Sequence, residues 1–512
     1  MRAFLRTAQA LALLLGFYAL ILGLLAAIVA LDIGTTAAAG ARGGMILVEV
    51  WAVSLALAYP LLRGLFIGGG NRRRPAGVRV HRTEQPRLWQ RVDHVAAAIN
   101  TVAPAEIWLV DDVQAAVSQS SWLLGLIPGR RRMLLGLPLL TGLTTAELDA
   151  VIAHELGHYG HGDTRLGGIV ARNRAGLQQV LARYSAEEGG WGQWIGSLFR
   201  RYARFCLLRS QASARRQELA ADAAAARVAG REATISALRA LAPLDEAHQR
   251  FGRDYAGMGW ALGLRPTAEE VVPGFQAFLR SEAWRQEHAR LLADPPRRKQ
   301  SPYDSHPPTA ERIAALQALA GVPGPRGADA DPDARADALL DDPVVTAGLV
   351  VSARPGAASR TQLGWTELAA AAGNAELDQE SAALRTAAKA VLRREVDVPL
   401  LLDVIDAGRW SDVVDWMPRE GMSRTVTPAA GLSMNGAAAS DCLYSMLLAA
   451  FVGQRRGRWT LDWESGRRLV LDEGLDAAIG PALDAACAPE GSAPPTTAPL
   501  RELLRLTAAR SS

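Results

Sequence analysis

Two long apolar runs near the start of the chain restrict its fold more than any other feature. Residues 7–31 form a run of 25 residues without a charge, and about 20 apolar residues suffice for a helix to span a bilayer. A secretory signal is the alternative, because Arg2 and Arg6 precede the run, but the run is longer than the apolar core of a typical signal. A second run, 45–62, follows after a short interval. We therefore predict a transmembrane helical hairpin over residues 1–70.

Basic residues lie at both ends of the predicted hairpin. Two arginines precede it and six follow it between residues 63 and 82, whereas the connecting loop holds Asp32 and a single arginine, Arg42. Since segments rich in arginine stay in the cytoplasm, we expect both ends of the hairpin, and the domain that follows it, to face the cytoplasm. The basic cluster should also attract anionic headgroups, which makes membrane lipid an expected partner.

The stretch from His154 to His158 reads H-E-L-G-H and ends a segment of helical character. On a helix, residues four apart share a face, so His154 and His158 present two imidazoles to one point, as a zinc ion requires of two ligands. Glu155 can reach a metal-bound water and take its proton while the water attacks a peptide carbonyl. The motif predicts a metalloprotease. The alternative is an ordinary helix with two solvated or capping histidines.

Two carboxylates downstream supply candidates for a third ligand. Glu218 and Asp222 lie four apart in an alanine-rich stretch with helical character. One of them can complete a site of two histidines and one carboxylate, with the fourth position left to water. The other can accept a hydrogen bond from a ligating imidazole. The alternative is an acidic pair on a solvated helix, neutralised by Arg215 and Arg216.

These motifs resemble those of the M48 metallopeptidases, integral-membrane zinc proteases that include the heat-shock protease HtpX and the CAAX prenyl protease. H-E-L-G-H matches that family, as does R-x-x-E-x-x-A-D from Arg215 to Asp222, and His306 to Ile313 is similar to its H-P-P-x-x-x-R-I segment. Residues 107–112 and 132–136 resemble the two strands before the zinc helix. The likeness covers roughly residues 75–320. One departure is Gln114-Ala115-Ala116, where the family usually has an Asn-Ala pair.

The resemblance implies roles for five residues. Three of them, His154, His158 and Glu218, would bind one Zn²⁺ per chain, and Glu155 would be the general base. His306 would lie over the active site and donate a hydrogen bond to the oxyanion of the tetrahedral intermediate. The alternative for His306 is that it merely precedes the next helix.

Two further stretches bear on the binding of substrate and membrane. The resemblance implies that residues 131–140 form a strand at the edge of a sheet beside the zinc helix, where a protein or peptide substrate could add a strand. Residues 191–208 interleave aromatic residues with arginines. They are expected to form an amphipathic helix that lies on the membrane surface or packs on the catalytic domain.

Composition narrows the possible classes of protein. The net charge of +4 is small for 512 residues, so nucleic-acid binding is not expected. The three cysteines are far apart and are expected to be buried thiols in a reducing compartment. Arginine, alanine and glycine are abundant whereas lysine occurs only at Lys299 and Lys389, which indicates a bacterial genome rich in GC.

The region after the catalytic motifs is predicted to be a separate helical domain. Residues 321–333 are rich in Gly, Pro and Asp, which marks a linker. Beyond them the sequence shows helical patterns, and four tryptophans suggest a small core or a surface for a protein partner: Trp410, Trp416, Trp459 and Trp463. We therefore predict an α+β, mostly helical protein with a gluzincin-like zinc metalloprotease domain. Its predicted parts are the hairpin 1–70, an M48-like domain 71–320, a linker 321–340 and a C-terminal domain 341–512.

The sequence as a whole predicts a multi-pass metalloendopeptidase of the bacterial cell membrane. Its catalytic domain would face the cytoplasm, and the resemblance implies quality control of membrane or misfolded proteins. Two alternatives stay open. One is a CAAX-type prenyl-protein protease, which is weakened because only two clear spans are present to enclose a chamber. The other is a latent zinc-binding membrane scaffold that acts through its C-terminal domain.

Overall fold

The computed structural model describes residues 2–39, 47–55, 58, 75–122, 127–159, 192–295, 307–320, 334–417, 434–488 and 495–505. In these residues the chain is mostly helical with three small sheets, in agreement with the predicted α+β class. The helices are α1 (Arg2–Ala39), α2 (Pro86–Ala98), α3 (Leu137–Gly142), α4 (Thr145–Gly157), α5 (Gly192–Ala229), α6 (Arg231–Phe251), α7 (Ala268–Arg280), α8 (Glu282–Ala293), α9 (Thr309–Gln317), α10 (Pro343–Ser352), α11 (Trp365–Glu380), α12 (Ala382–Leu392), α13 (Val398–Asp406), α14 (Trp410–Val414), α15 (Met434–Gly453), α16 (Leu475–Ala486) and α17 (Ala498–Arg505). The strands are β1 (Gly77–Val80), β2 (Glu106–Val110), β3 (Ala115–Trp122), β4 (Ile127–Gly136), β5 (Leu264–Pro266), β6 (Thr361–Leu363), β7 (Gly457–Asp462) and β8 (Gly466–Leu471).

By their internal contacts the residues form two compact units. The first contains Met1–Gln249 and Trp284–Ala358, and the second contains Arg250–Ala283 and Ser359–Ser512. The second unit therefore combines a segment from the middle of the chain with the C-terminal region. The predicted boundaries near residues 70, 320 and 340 divide the chain by its linear order and stay a prediction.

A four-stranded sheet in the order β1-β2-β4-β3 organises the first unit. β2 and β4 are parallel, with Ile107 opposite Met133, whereas β1 and β3 run antiparallel to their neighbours. Ile107 and Met133 are both buried, as are Leu109 and Leu135 two residues further on. Because alternate residues of a strand share a face, these positions give one face of the sheet to the core.

The prediction that residues 131–140 form the edge strand is wrong. β4 lies between β2 and β3, and β3 takes the outer position because it pairs only with β4 among the described strands. Strand β4 also ends at Gly136, and α3 begins at Leu137 with Pro138 in its first turn. Proline fixes a backbone angle suited to the start of a helix and cannot donate to a sheet, so the strand stops there.

Helix α4 carries the H-E-L-G-H motif and begins with a reciprocal cap. The amide of Glu147 donates to Thr144 Oγ1 at 3.3 Å, and the amide of Thr144 donates to Glu147 Oε2 at 2.9 Å, which satisfies two otherwise unpaired donors. Leu148, Ile152 and Leu156 recur at intervals of four and are fully buried. This buried face holds the helix in the core and fixes the position of its last turn.

Helix α5 is 38 residues long, which corresponds to about 57 Å. It includes almost all of the aromatic and arginine-rich stretch 191–208 and continues to Glu218 without a break. A Cβ atom added to Gly16 of α1 would lie 2.6 Å from the hydroxyl of Tyr202, so α5 packs closely against α1. Its contact with the N-terminal apolar helix was not predicted.

Two described helices are long and apolar enough to cross a membrane. Residues Ala19–Ala38 lie in α1 with a mean hydropathy of 2.1 and only 6% of that window buried. Residues Gly436–Gly453 lie in α15 with a mean hydropathy of 1.4 and 44% buried, and Leu447 and Phe451 of this helix belong to the core of the second unit. The predicted second span is described only at residues 47–55 and 58, which are helical, so the hairpin stays a prediction.

The second unit contains an aromatic cluster and a helical core. The ring of Phe251 lies 5.2–6.1 Å from its aromatic neighbours, which are Tyr255, Phe275, Phe278, Trp365 and Trp463. Trp463 lies in the turn of the β7–β8 hairpin, a hairpin that the sequence did not predict. Trp416, one of the four tryptophans predicted to form a small core or a partner surface, is 64% exposed. Cys206, Cys442 and Cys487 are buried and free, as predicted.

Candidate metal centre

Three of the predicted site residues meet where α4 packs against α5. One donor atom from each of His154, His158 and Glu218 lies within 4.8 Å of the others. The Nε2 atom of His154 is 3.5 Å from Glu218 Oε2, and the Nε2 atom of His158 is 3.7 Å from Glu218 Oε1. A tetrahedral ion with bonds of about 2.1 Å holds its donors about 3.4 Å apart. Two imidazoles and a carboxylate at these distances fit a zinc ion.

Small residues allow the two helices to approach closely enough for this arrangement. A Cβ atom added to Gly157 would lie 3.4 Å from the Cα atom of Ala221 and 3.5 Å from the Cβ atom of Ala224. Both alanines are fully or almost fully buried. A side chain larger than that of alanine at any of these positions would separate α4 from α5. The Gly of H-E-L-G-H and the alanines that follow Glu218 therefore set the distance between the ligands.

A buried carboxylate and an arginine hold one imidazole in place. His154 Nδ1–H donates to Asp222 Oδ1 at 2.9 Å, so its Nε2 atom faces Glu218. Arg312 donates to both oxygens of Asp222, from Nε at 2.8 Å and from Nη2 at 2.6 Å. The side chains of Asp222 and Arg312 are only 3% and 11% exposed. This bidentate pair fixes the carboxylate, which in turn fixes the tautomer and orientation of the ring.

The surroundings of His154 stabilise positive charge. Burial disfavours the charged imidazolium, but hydrogen bonds with Asp222 and Glu218, together with the charge of Glu155, outweigh burial and raise the pKa of His154 to about 9. Burial likewise favours the neutral form of Asp222, yet the contacts with Arg312 and His154 lower its pKa. The carboxyl of Asp222 is thus held in its ionised form, and surroundings that stabilise an imidazolium would also stabilise a bound divalent cation.

One side of the site is open to solvent. The side chains of His154 and Glu218 are 10% and 6% exposed, whereas that of His158 is 22% exposed. Glu155 follows His154 in α4 and is half-buried. An open side next to the carboxyl group of Glu155 leaves space for a water molecule and a substrate. Catalytic zinc sites keep their fourth position free in this way.

The resemblance assigns Glu218 as the ligand, which leaves Asp222 as the predicted hydrogen-bond partner of a ligating imidazole, and a hydrogen bond between Asp222 and His154 is present. The sequence did not identify Arg312 as the partner of Asp222. The available signal was the position of Arg312 in the segment that resembles H-P-P-x-x-x-R-I. His306, the other predicted catalytic residue, lies outside the described residues, as do residues 160–191 and 321–333.

Strand β3 presents an edge beside α4. Gly136 N donates to Gln114 O at 2.7 Å, and the register then directs the amides and carbonyls of Ala115 and Val117 away from β4. Tyr159, just after the motif, donates from its hydroxyl to Val117 O at 2.8 Å. The departure at Gln114-Ala115-Ala116 therefore falls at the start of the edge strand next to the metal centre.

Comparison with known proteins agrees with this geometry. Residues 82–320 match the family model described as Peptidase family M48. The chain is 27% identical over 197 residues to a "Protease HtpX homolog" of Gemmatimonas aurantiaca, which covers 36% of this chain and 59% of that protein. It is 30% identical over 187 residues to a "Protease HtpX" of a Psychrobacter species, which covers 32% and 58%. The chain thus spans less than two thirds of these relatives. The predicted resemblance is confirmed over residues 82–320, which match peptidase family M48.

Proposed function

We propose that this chain is a membrane-anchored zinc metalloendopeptidase. The observation that carries the proposal is the convergence of two imidazoles and one carboxylate within 4.8 Å, next to the half-buried Glu155 and in an M48 domain. In this proposal His154, His158 and Glu218 hold one Zn²⁺ per chain and Glu155 is the general base. The names of the relatives support a protease role, and the resemblance implies a role in quality control of membrane or misfolded proteins.

The chemistry of each residue follows from its place in the site. A Zn²⁺ ion held there would supply a water of pKa about 7 and polarise the substrate carbonyl. Glu155 takes the proton of the attacking water and returns it to the leaving amine. Asp222 and Arg312 keep the His154 ring from rotating, so that Nε2 stays directed at the ion. His306 is proposed, from resemblance alone, to donate a hydrogen bond to the oxyanion.

The outward amides and carbonyls of β3 support a mode of substrate binding. An extended peptide that pairs with Ala115 would lie along the edge beside α4, and backbone pairing of this kind tolerates many sequences. Tyr159 already occupies the carbonyl of Val117, so pairing is expected to begin on the N-terminal side of that residue. Protein or peptide substrates of broad sequence are therefore the proposed partners.

One contact supports the proposed membrane hairpin. Ser54 donates from Oγ to Asp32 Oδ1 at 2.6 Å, and Ser54 is 7% exposed. This contact joins the end of α1 to the helical residues 47–55. The charge rule then places both ends of the hairpin, together with the catalytic domain, in the cytoplasm of a bacterial cell.

The decisive test compares casein cleavage by Glu155→Gln and by the wild type in detergent. The matched control is Glu232→Gln, which changes an exposed acidic residue of α6. We expect Glu155→Gln to lose casein cleavage by at least about 100-fold while it retains its metal, because general-base catalysis contributes that much. Glu232→Gln should cleave normally. A prenylated CAAX peptide assayed in parallel distinguishes the narrower protease. If Glu155→Gln kept the full function of the wild type in cells, this result would contradict the proposal and favour the latent zinc-binding scaffold.

A further inference from the structure

A second candidate site lies in the second unit, where a short strand leads into a helix. β5 pairs in parallel with β6, so that Arg265 lies opposite Gln362. Thr267 follows the strand and is the N-cap of α7, but its side chain makes no capping hydrogen bond. Since residues two apart in an extended chain point to the same side, Arg265 and Thr267 share a face.

Both side chains bury polar atoms that have no partner. Arg265 is 5% exposed, and its Nε and Nη1 atoms are buried without a hydrogen bond to any described residue. The Oγ1 atom of Thr267 is likewise buried without a hydrogen bond to any described residue. Unsatisfied buried side-chain atoms are rare in folded proteins, and here three of them lie within two residues of each other.

No nearby anion in the described chain compensates the buried charge. Burial lowers the pKa of Arg265, and no carboxylate opposes that shift. The first amide of α7, at Ala268, is already taken, because it donates to Gln362 Oε1 at 3.2 Å. Glu269 and Glu270 in the first turn of α7 are exposed. A guanidinium with two buried nitrogens that lack a partner is unfavourable, so an oxyanion at this position would stabilise the fold.

We infer that Arg265 and Thr267 form a binding site for a small oxyanion, a carboxylate or phosphate group carried by a low-molecular-weight ligand. A guanidinium binds either group through two parallel N–H donors, and the Thr267 hydroxyl supplies one more donor. The N-terminus of α7 adds a favourable dipole. Its residues belong to the second unit, whereas the candidate metal ligands belong to the first.

The test measures thermal unfolding of the full chain in detergent, with inorganic phosphate or acetate added against sodium chloride of equal ionic strength. Arg265→Met and Thr267→Val are compared with Arg253→Met, which removes an exposed arginine of the same unit that already pairs with Asp254. Calorimetric titration with each anion gives the affinity directly.

The inference predicts that an anion raises the unfolding midpoint of the wild type and of Arg253→Met. Arg265→Met should weaken binding of that anion by more than about tenfold. In the absence of the anion, the Arg265→Met variant should unfold at a higher temperature than the wild type, because an unpaired buried charge is gone. A preference for phosphate or for acetate identifies the ligand group. A lower midpoint for Arg265→Met without an anion would show that another part of the chain already pairs Arg265. Equal stabilisation of Arg265→Met and wild type would show a general salt effect. Either result would overturn the inference.

Discussion

Replacing Arg312 with methionine tests the part of the site that the sequence did not reveal. The substitution keeps the length and packing of the side chain but removes both donors to Asp222, at 2.8 and 2.6 Å. Because both side chains are almost fully buried, 11% and 3% exposed, this pair belongs to the class in which the loss of one partner costs about 3–5 kcal/mol. We expect the free energy of unfolding, from urea titration, to fall by that amount.

The same change should also weaken the metal centre. Without Arg312, Asp222 can rotate away from His154 Nδ1, and loss of such outer contacts typically lowers metal affinity 10- to 100-fold, about 1.4–2.7 kcal/mol. Competition with a zinc chelator measures this affinity. The double variant Arg312→Met with Asp222→Asn should recover most of the stability, because it leaves no uncompensated buried charge.

An exposed ion pair provides the control for this experiment. Arg290 is 64% exposed and pairs with Glu287 on its own helix, so Arg290→Met should leave both the urea midpoint and the zinc affinity unchanged. The reasoning would be refuted if Arg312→Met unfolded at the wild-type urea concentration, or if the double variant were less stable than the single one.

Three further outcomes follow from the structure. Arg91→Met should lower the free energy of unfolding by about 3–5 kcal/mol, because it leaves the buried Asp149 without its bidentate partner. Gly157→Leu should overpack α4 against α5, cost about 1–3 kcal/mol in urea titration and reduce bound metal, whereas Gly157→Ala should retain it. Hydrogen bonds, first from the backbone of Ser465, lower the pKa of Asp462 to about 2. Its stabilisation is therefore complete above pH about 4 and lost as the pH falls towards 2, and Asp462→Asn should remove this part of the acid dependence of the urea midpoint.

The candidate ligands could be picked out in the sequence because their arrangement is mostly local. His154 and His158 are one helical turn apart, and Glu218 and Asp222 repeat that spacing on α5. Spacing alone could not say which carboxylate faces the metal. That choice depends on the third contact, from Arg312, which is 90 residues away in the sequence.

The order of the strands could not be predicted from local patterns. The strand β2 was expected from the resemblance of residues 107–112, but the edge position of β3 depends on which strand pairs on the far side of β4. The sequence of β3, AAVSQSSW, shows no clear alternation of apolar and polar residues that would mark it as a strand. Pairing between distant segments also explains why the second unit joins 250–283 to the C-terminal region. The aromatic residues that link these segments are far apart in the sequence.

The most direct test of the account is the metal content of purified protein by elemental analysis. Wild type and Glu232→Ala, which changes an exposed acidic residue of α6, are compared with Glu218→Ala. The account predicts about one zinc per chain in the first two proteins and loss of both zinc and casein cleavage in Glu218→Ala, since a catalytic site needs three protein ligands. Full zinc content in Glu218→Ala, or no zinc in the wild type, would contradict it.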